Sequence, residues 1–267
     1  MRSIRPSGAL AGGVKLGGNA GMPLYMERFS NSTREVQQDG RRGALMLSVS
    51  INHPDTEKFV DRKLVEGAVT GANISVKVTS DFMYAVENGQ QFLQVFPVDY
   101  DKKKLNHFVE QDILLNGPEK GVYYKAIDAK KLWDKIIVNA HSSAEPGILF
   151  FDQIHGESPA AAYGDKWKEV STNPCGEIPL SPFDSCRLAA INMLSYVINP
   201  FTSCPIFDRK LFMQHTKDAM RLMDDIVDLE IEKIDRIIDK ISDDSEESIV
   251  EINLWKKIRK TAVEGRR

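Results

Sequence analysis

Ala44-Leu45-Met46-Leu47-Ser48-Val49-Ser50-Ile51 and Asn73-Ile74-Ser75-Val76-Lys77-Val78 are the two runs whose reading decides the fold. The first reads as a buried strand, and the second alternates apolar and polar residues as a strand does. Between them, His53-Pro54-Asp55 opens a short helix through Leu64, with Pro54 at a first-turn position and acids near the N-terminus. Residues 66–72 form a loop. Downstream, Thr79 or Ser80 caps a helix to about Glu87, Asn88-Gly89 ends it, and residues 91–96 make another strand. This strand–helix–strand–helix rhythm predicts an α/β architecture with largely parallel strands.

Outward from this centre, residues 23–38 carry helical periodicity through Leu24, Met26, Phe29 and Val36. Further upstream, residues 7–21 read SGALAGGVKLGGNAG, with six glycines. Each glycine costs a helix about 1 kcal/mol relative to alanine, so no regular helix forms there. Two readings stand: a loop whose backbone amides approach a phosphate or nucleotide, or a flexible terminus. The stretch lacks the Gly-Lys-Ser/Thr ending of a P-loop. Downstream, residues 98–125 are polar and irregular and read as a surface excursion. Residues 130–142 form an amphipathic helix, 147–151 a short buried strand, 188–197 a further strand, and 207–240 a long helix. An acidic linker at 242–247 leads to a final helix over 249–263. Asp224, Asp225, Asp228, Glu230 and Glu232 alternate with Ile and Leu on the long helix and read as its solvated face. No internal repeat is present, and no linker divides the chain into independent domains.

The formal net charge of −3 gives no general pull toward nucleic acid or an anionic membrane surface. No apolar run approaches the ~20 residues of a membrane span. Met1 to Gly8 lack the apolar segment of a signal peptide, so a cytoplasmic location is the default expectation. Cys175, Cys186 and Cys204 are too few for a disulfide scaffold and are not spaced as a zinc site. His53, His107, His141, His155 and His215 are scattered with no i, i+4 pair, so no metal site is expected.

The chemistry concentrates in Ser171-Thr172-Asn173-Pro174-Cys175-Gly176-Glu177, followed by Asp184-Ser185-Cys186-Arg187-Leu188. In an extended segment Asn173, Cys175 and Glu177 point to one side, so an amide, a thiol and a carboxylate converge on one small substrate. Cys186 lies within reach in sequence as a redox thiol. A cysteine hydrolase needs a histidine base, and none lies close in sequence. A buried structural cysteine is the plainer alternative. Pro174 and Gly176, which fix the loop, favour a site.

The stretch NPCGEIPL…DSCRLAAINM resembles the catalytic finger loop of the ribonucleotide reductase large chain. Arg5-Pro6 through the glycine-rich segment, Arg41-Arg42-Gly43-Ala44, His53-Pro54-Asp55 and Asn73-Ile74-Ser75-Val76 follow in the family's order. The resemblance is best over residues 4–200, with 207–267 as a helical segment. It implies one partial catalytic domain over 1–267, about half of the family's ten-stranded α/β barrel with its finger loop.

The resemblance also implies roles. Cys175 would carry a thiyl radical that abstracts the 3′-hydrogen of a ribonucleotide. Glu177 would be the general base on the 3′-hydroxyl, and Asn173 would hydrogen-bond the substrate hydroxyls. Pro174 and Gly176 complete the substrate-binding stretch. Cys186 would be one of two reducing thiols, its partner lying upstream of this chain's first residue. Cys204 matches no such position and reads as structural or incidental. The glycine-rich segment and residues 65–73 resemble two loops that sense a nucleoside triphosphate effector, with Gly12, Gly13, Lys15, Glu66, Thr70 and Asn73 as candidates. The NPCGE form and the short spacing to Ser-Cys resemble the adenosylcobalamin-dependent branch more than the metal-subunit-dependent one. The implied function is reduction of ribonucleotides to deoxyribonucleotides, inactive until complementing reductase segments are supplied. A thioredoxin-type reductant and a homo-oligomeric complete enzyme are expected as well. A non-catalytic nucleotide-binding or assembly module, or a fragment of a metal-subunit-dependent large chain, are the alternatives.

Overall fold

The computed structural model describes residues 1, 4–7, 10–11, 14–15, 21–38, 40–97, 122–243 and 249–266. The chain forms two compact units, Met1–Pro179 and Leu180–Arg267.

The first unit is built on a parallel sheet of β1 (Met46–Ser50), β2 (Asn73–Val78) and β5 (Gly147–Phe150), in the order β1-β2-β5. Met46 pairs with Asn73 through Ser50 with Lys77, and Ser75 with Gly147 through Val78 with Phe150. The period-two pattern sends Leu47, Val49 and Ile51 to one face with Ile74, Val76 and Val78, and all six are buried. That face packs on helices α1 (Met22–Glu35), α2 (Thr56–Asp61), α3 (Ser80–Glu87) and α4 (Ala129–Ser143), which contribute Met22, Met26, Phe59, Val60, Phe82, Leu132 and Ile136 to the core. Each such side chain contributes about 1.5–3 kcal/mol by leaving water. The opposite face carries Met46, Ser48, Ser50, Asn73, Ser75 and Lys77. Its polar character leaves it free to receive an irregular segment through hydrogen bonds. The sheet is open among the described residues.

The helices start and stop as their sequences dictate. Thr79 Oγ1 accepts from Phe82 N at the start of α3, and Asp128 Oδ1 accepts from Lys131 N at the start of α4. Helix α4 ends at Ala144 in the left-handed conformation. Helix α1 buries Met22, Met26 and Ser30, whereas Leu24, Phe29 and Val36 of the expected apolar set are exposed. The buried stripe runs at i, i+4, i+8, and its serine accepts a hydrogen bond from Gly71 N.

Two expectations are corrected. Residues 91–97 form β3 (Gln91–Pro97), which pairs antiparallel with β4 (Val122–Asp128), Gln91 opposite Asp128 and Pro97 opposite Val122. Residues 122–128 are thus a strand rather than the tail of an irregular excursion, because β3 supplies the ladder their own mixed sequence does not announce. Residues 98–121 lie outside the described residues. The strand expected over 188–197 is also absent. Residues 188–190 are exposed, and a 3-10 turn at Met193–Tyr196 is capped by Asn192 Oδ1 on Leu194 N. Only Val197–Ile198 pairs, antiparallel with Ile206–Phe207. An apolar run without a ladder partner satisfies no backbone groups as a strand.

The second unit is dominated by α6 (Arg209–Ser242) and α7 (Ile249–Gly265), which follow α5 (Phe151–Glu157) of the first unit. Val227, Ile234 and Ile241 are the buried residues of α6 and recur every seven positions along one stripe. Arg259 of α7 pairs with Asp235, and Arg266 just beyond α7 pairs with Asp224 and Asp228. Part of the acidic face expected to be solvated is therefore engaged by α7 and its C-terminal flank.

Candidate functional site

The segment carrying Cys175 is laid along the polar face of the parallel sheet. Lys77 donates to the Val170 carbonyl. Ser48 Oγ lies 3.0 Å from Ser171 Oγ. Asn73 Nδ2 donates to the Pro174 carbonyl at 2.8 Å. Ser48, Asn73 and Lys77, which the alternation turns away from the core, thus anchor the segment.

The loop then closes on itself. Asn173 is 4% exposed. Its N–H donates to the Ile178 carbonyl at 3.1 Å, and its Oδ1 accepts from Ile178 N at 3.0 Å. Its carbonyl accepts from Gly176 N at 3.0 Å and from Thr172 Oγ1 at 3.0 Å. Gly176 has φ +89°, a conformation that favours glycine. Cys175 and Glu177 stand exposed on the turn.

This differs from the extended segment expected from the alternation. Residues 173–178 turn because one asparagine side chain closes the loop as a backbone group would. Asn173 is buried at the base while Cys175 and Glu177 are presented at the tip. Among the described residues, Asn173 Nδ2 has no hydrogen-bond partner.

The remaining candidates are distributed more widely. Gly12 and Gly13 lie outside the described residues, and Lys15 sits in a short antiparallel ladder with Leu10. Glu66 is exposed. Thr70 Oγ1 accepts from Arg34 Nη1 at 2.8 Å. Thr70 and Asn73 line a cleft of about 540 Å³ together with Arg34, Arg42 and Gly43, among others. In the same segment Val69 is fully buried with φ +51°. A β-branched residue held there stores strain of about 1–3 kcal/mol.

In the second unit Cys186 is exposed, preceded by a turn in which Ser185 N donates to Asp184 Oδ1 at 2.9 Å. The neighbouring Arg187 forms an ion pair with Glu230 of α6. Burial lowers the Arg187 pKa, as does the charge of Arg266, while Asp184 and Cys186 oppose the shift. Cys204 is exposed in the same unit. Among the described residues no group of histidine, cysteine and carboxylate side chains is arranged to hold a metal ion, and no helix is long and apolar enough to cross a membrane.

In the sequence His53-Pro54-Asp55 reads as a helix opening and as one of the motifs in the family's order. The structure gives it a further task. Asp55 Oδ2 accepts from Ser7 N at 2.8 Å, Ser7 Oγ at 3.0 Å and Met22 N at 3.2 Å. One buried carboxylate thus holds the residues on either side of the glycine-rich stretch. Gly21, at φ +101°, must be glycine there, since a Cβ would lie 2.7 Å from Asp55 Oδ2. His53 Nε2 meets the Ile4 carbonyl at 2.8 Å, and its Nδ1 accepts from Asp55 N at 3.0 Å. Burial lowers the His53 pKa, the Ile4 and Asp55 interactions opposing it only in part. The available signal was a pair of polar residues flanking a proline at the end of a buried strand.

Comparison with known proteins bears on what this geometry serves. Residues 1–246 match the family described as ribonucleotide reductase, barrel domain. The chain is 34% identical over 246 residues to the vitamin B12-dependent ribonucleoside-diphosphate reductase of Thermoplasma acidophilum, covering 89% of this chain and 28% of that protein. It is 30% identical over 229 residues to the protein of the same description from Mycobacterium tuberculosis, covering 85% and 29%. It is 25% identical over 234 residues to a vitamin B12-dependent ribonucleotide reductase of Streptomyces clavuligerus, covering 78% and 22%. The chain spans less than a third of the length of these relatives.

Proposed function

The chain belongs to the ribonucleotide reductase barrel-domain family, and on that premise we propose that it supplies the radical-cysteine portion of an enzyme that reduces ribonucleotides to deoxyribonucleotides. The observation that carries the proposal is the exposed Cys175 and Glu177 on a turn closed by Asn173. Residues 1–267 serve as part of a larger catalytic barrel, with the runs at 173–180 and 184–193 as its finger loop.

In this reading the Cys175 thiyl takes the 3′-hydrogen of the ribose and becomes a thiol. Glu177 accepts the proton of the 3′-hydroxyl, which the adjacent radical has made acidic. Asn173 donates through Nδ2 to a substrate hydroxyl, and the 2′-hydroxyl leaves as water. Two electrons come from Cys186 and a second thiol outside this chain, which end as a disulfide. Cys175 returns its hydrogen to C3′ and is a thiyl again. The balance is one ribonucleotide and one dithiol giving one deoxyribonucleotide, water and one disulfide.

The names of the relatives favour adenosylcobalamin as the radical source, which supplies a carbon-centred radical when bound. The chemistry of this chain fits that role at one point, an accessible thiol at the tip of a fixed loop. The likeness of the glycine-rich and 65–73 segments to the family's effector loops supports a nucleoside triphosphate effector. A thioredoxin-type reductant and assembly into a homo-oligomer belong to the completed enzyme.

The test is reconstitution. The chain mixed with the remaining barrel segments of a relative, adenosylcobalamin, a ribonucleoside diphosphate and a dithiol should form deoxyribonucleotide, and the chain alone should form none. Product from the chain alone would contradict the fragment reading. No product in any combination would favour a non-catalytic nucleotide-binding module.

A further inference from the structure

The first rung of the parallel sheet is Met46 opposite Asn73. Asn73 bonds the loop that carries Cys175, and Met46 lies near it. Asn73 Nδ2 donates to the carbonyl of Pro174, the peptide group that leads into Cys175. Met46 Cε lies 4.0 Å from the place a Cβ on Gly176 would occupy. The rung therefore holds the peptide before Cys175 through Asn73, while Met46 Cε borders the space beside Gly176 that follows it. The attachments at Ser171 and Val170 act earlier in the segment. The backbone beneath the amide is itself fixed, since Asn73 N donates to the Leu45 carbonyl at 2.8 Å. An amide suits this position because it presents a donor, whereas a carboxylate of the same shape offers the Pro174 carbonyl only acceptors.

We propose that Asn73 is a positioning residue for Cys175. Its side-chain amide fixes the peptide plane between Pro174 and Cys175, and with it the direction in which the thiol leaves the loop. The inference rests on Cys175 being the reacting thiol, and it acts through the Pro174 carbonyl rather than on substrate.

The experiment compares Asn73→Asp and Asn73→Ala with the parent 267-residue chain. The alkylation rate of each cysteine is followed by site-resolved mass spectrometry across a pH series. Cys186 and Cys204 belong to the other compact unit and serve as internal controls. The expected result is a change of about threefold to tenfold at Cys175 in both variants, the scale of one net hydrogen bond, with the control rates unchanged. A Cys175 rate and pH profile identical to the parent in both variants overturns the proposal. A second measurement needs no variant: the Asn73 side-chain amide protons should exchange with solvent more slowly than those of a free asparagine, and exchange at the free rate overturns it. In the completed enzyme Asn73→Asp should lower kcat and leave KM unchanged, and a parental kcat would contradict the assignment. The alkylation and exchange results bear on Asn73 whether or not the completed enzyme turns over.

Discussion

At the scale of single residues, the loop exposes Cys175 and Glu177 and buries Asn173. Glu177 is exposed and makes no hydrogen bond that shapes the turn, so Glu177→Gln should leave stability within about 0.5 kcal/mol. The same change should lower turnover of the completed enzyme by about 10²–10⁴-fold, the usual scale of a lost general base. Thermal melting and steady-state kinetics on one preparation check both halves. Asn173 is the reverse case. Asn173→Ala removes the acceptor of Ile178 N, so the loop should lose about 1–3 kcal/mol of local stability, read as faster amide exchange at residues 176–178. Its residue type was legible in the sequence, and its geometry was not. Alternation suggested an extended segment, and nothing in NPCGE announces that the asparagine side chain closes a turn onto Ile178.

At the scale of elements, β1 was legible as a buried, largely apolar run and β2 from its alternation of apolar and polar residues. β4 was not, because its pairing with β3 is set by a partner distant in sequence. The apolar stripe of α1 was misplaced by a turn because Ser30, a polar residue, occupies the buried face and bonds Gly71. The junction of β1, α2 and the N-terminal segment makes a sharper prediction. Asp55→Ala strands three donors from Ser7 and Met22 and should cost about 2–4 kcal/mol by urea denaturation. His53 beside it sets a pH dependence. Its pKa is lowered in the folded chain, so the unfolded chain binds more protons once the pH falls below about 6.5. The stability it contributes is present above that pH and is lost as the pH falls toward the lowered value. The urea midpoint of the parent should drop on acidification more steeply than that of His53→Gln, and equal slopes would contradict the assignment.

At the scale of the whole molecule, the chain spans under a third of its relatives' length, and its parallel sheet is open among the described residues. Helix α6 leaves Met213, Met220, Leu222 and Leu229 more than half exposed, although it buries a stripe of its own. Apolar exposure on this scale fits surface that the remaining segments of the barrel cover. An apolar dye should therefore bind the isolated chain and be released when those segments are added, and a signal unchanged by them would argue against complementation. The family was readable from NPCGE and its ordered flanks because several motifs stand in the family's order along the chain. The division at residues 179–180 was not, because Pro179 and Pro182, which flank it, sit inside the motif-bearing stretch rather than in a separate linker. The central claim, that Cys175 carries the radical, is tested most directly by Cys175→Ser in the reconstituted enzyme. Deoxyribonucleotide formation should fall to background while the variant melts as the parent does, and measurable turnover by the serine variant would contradict the account.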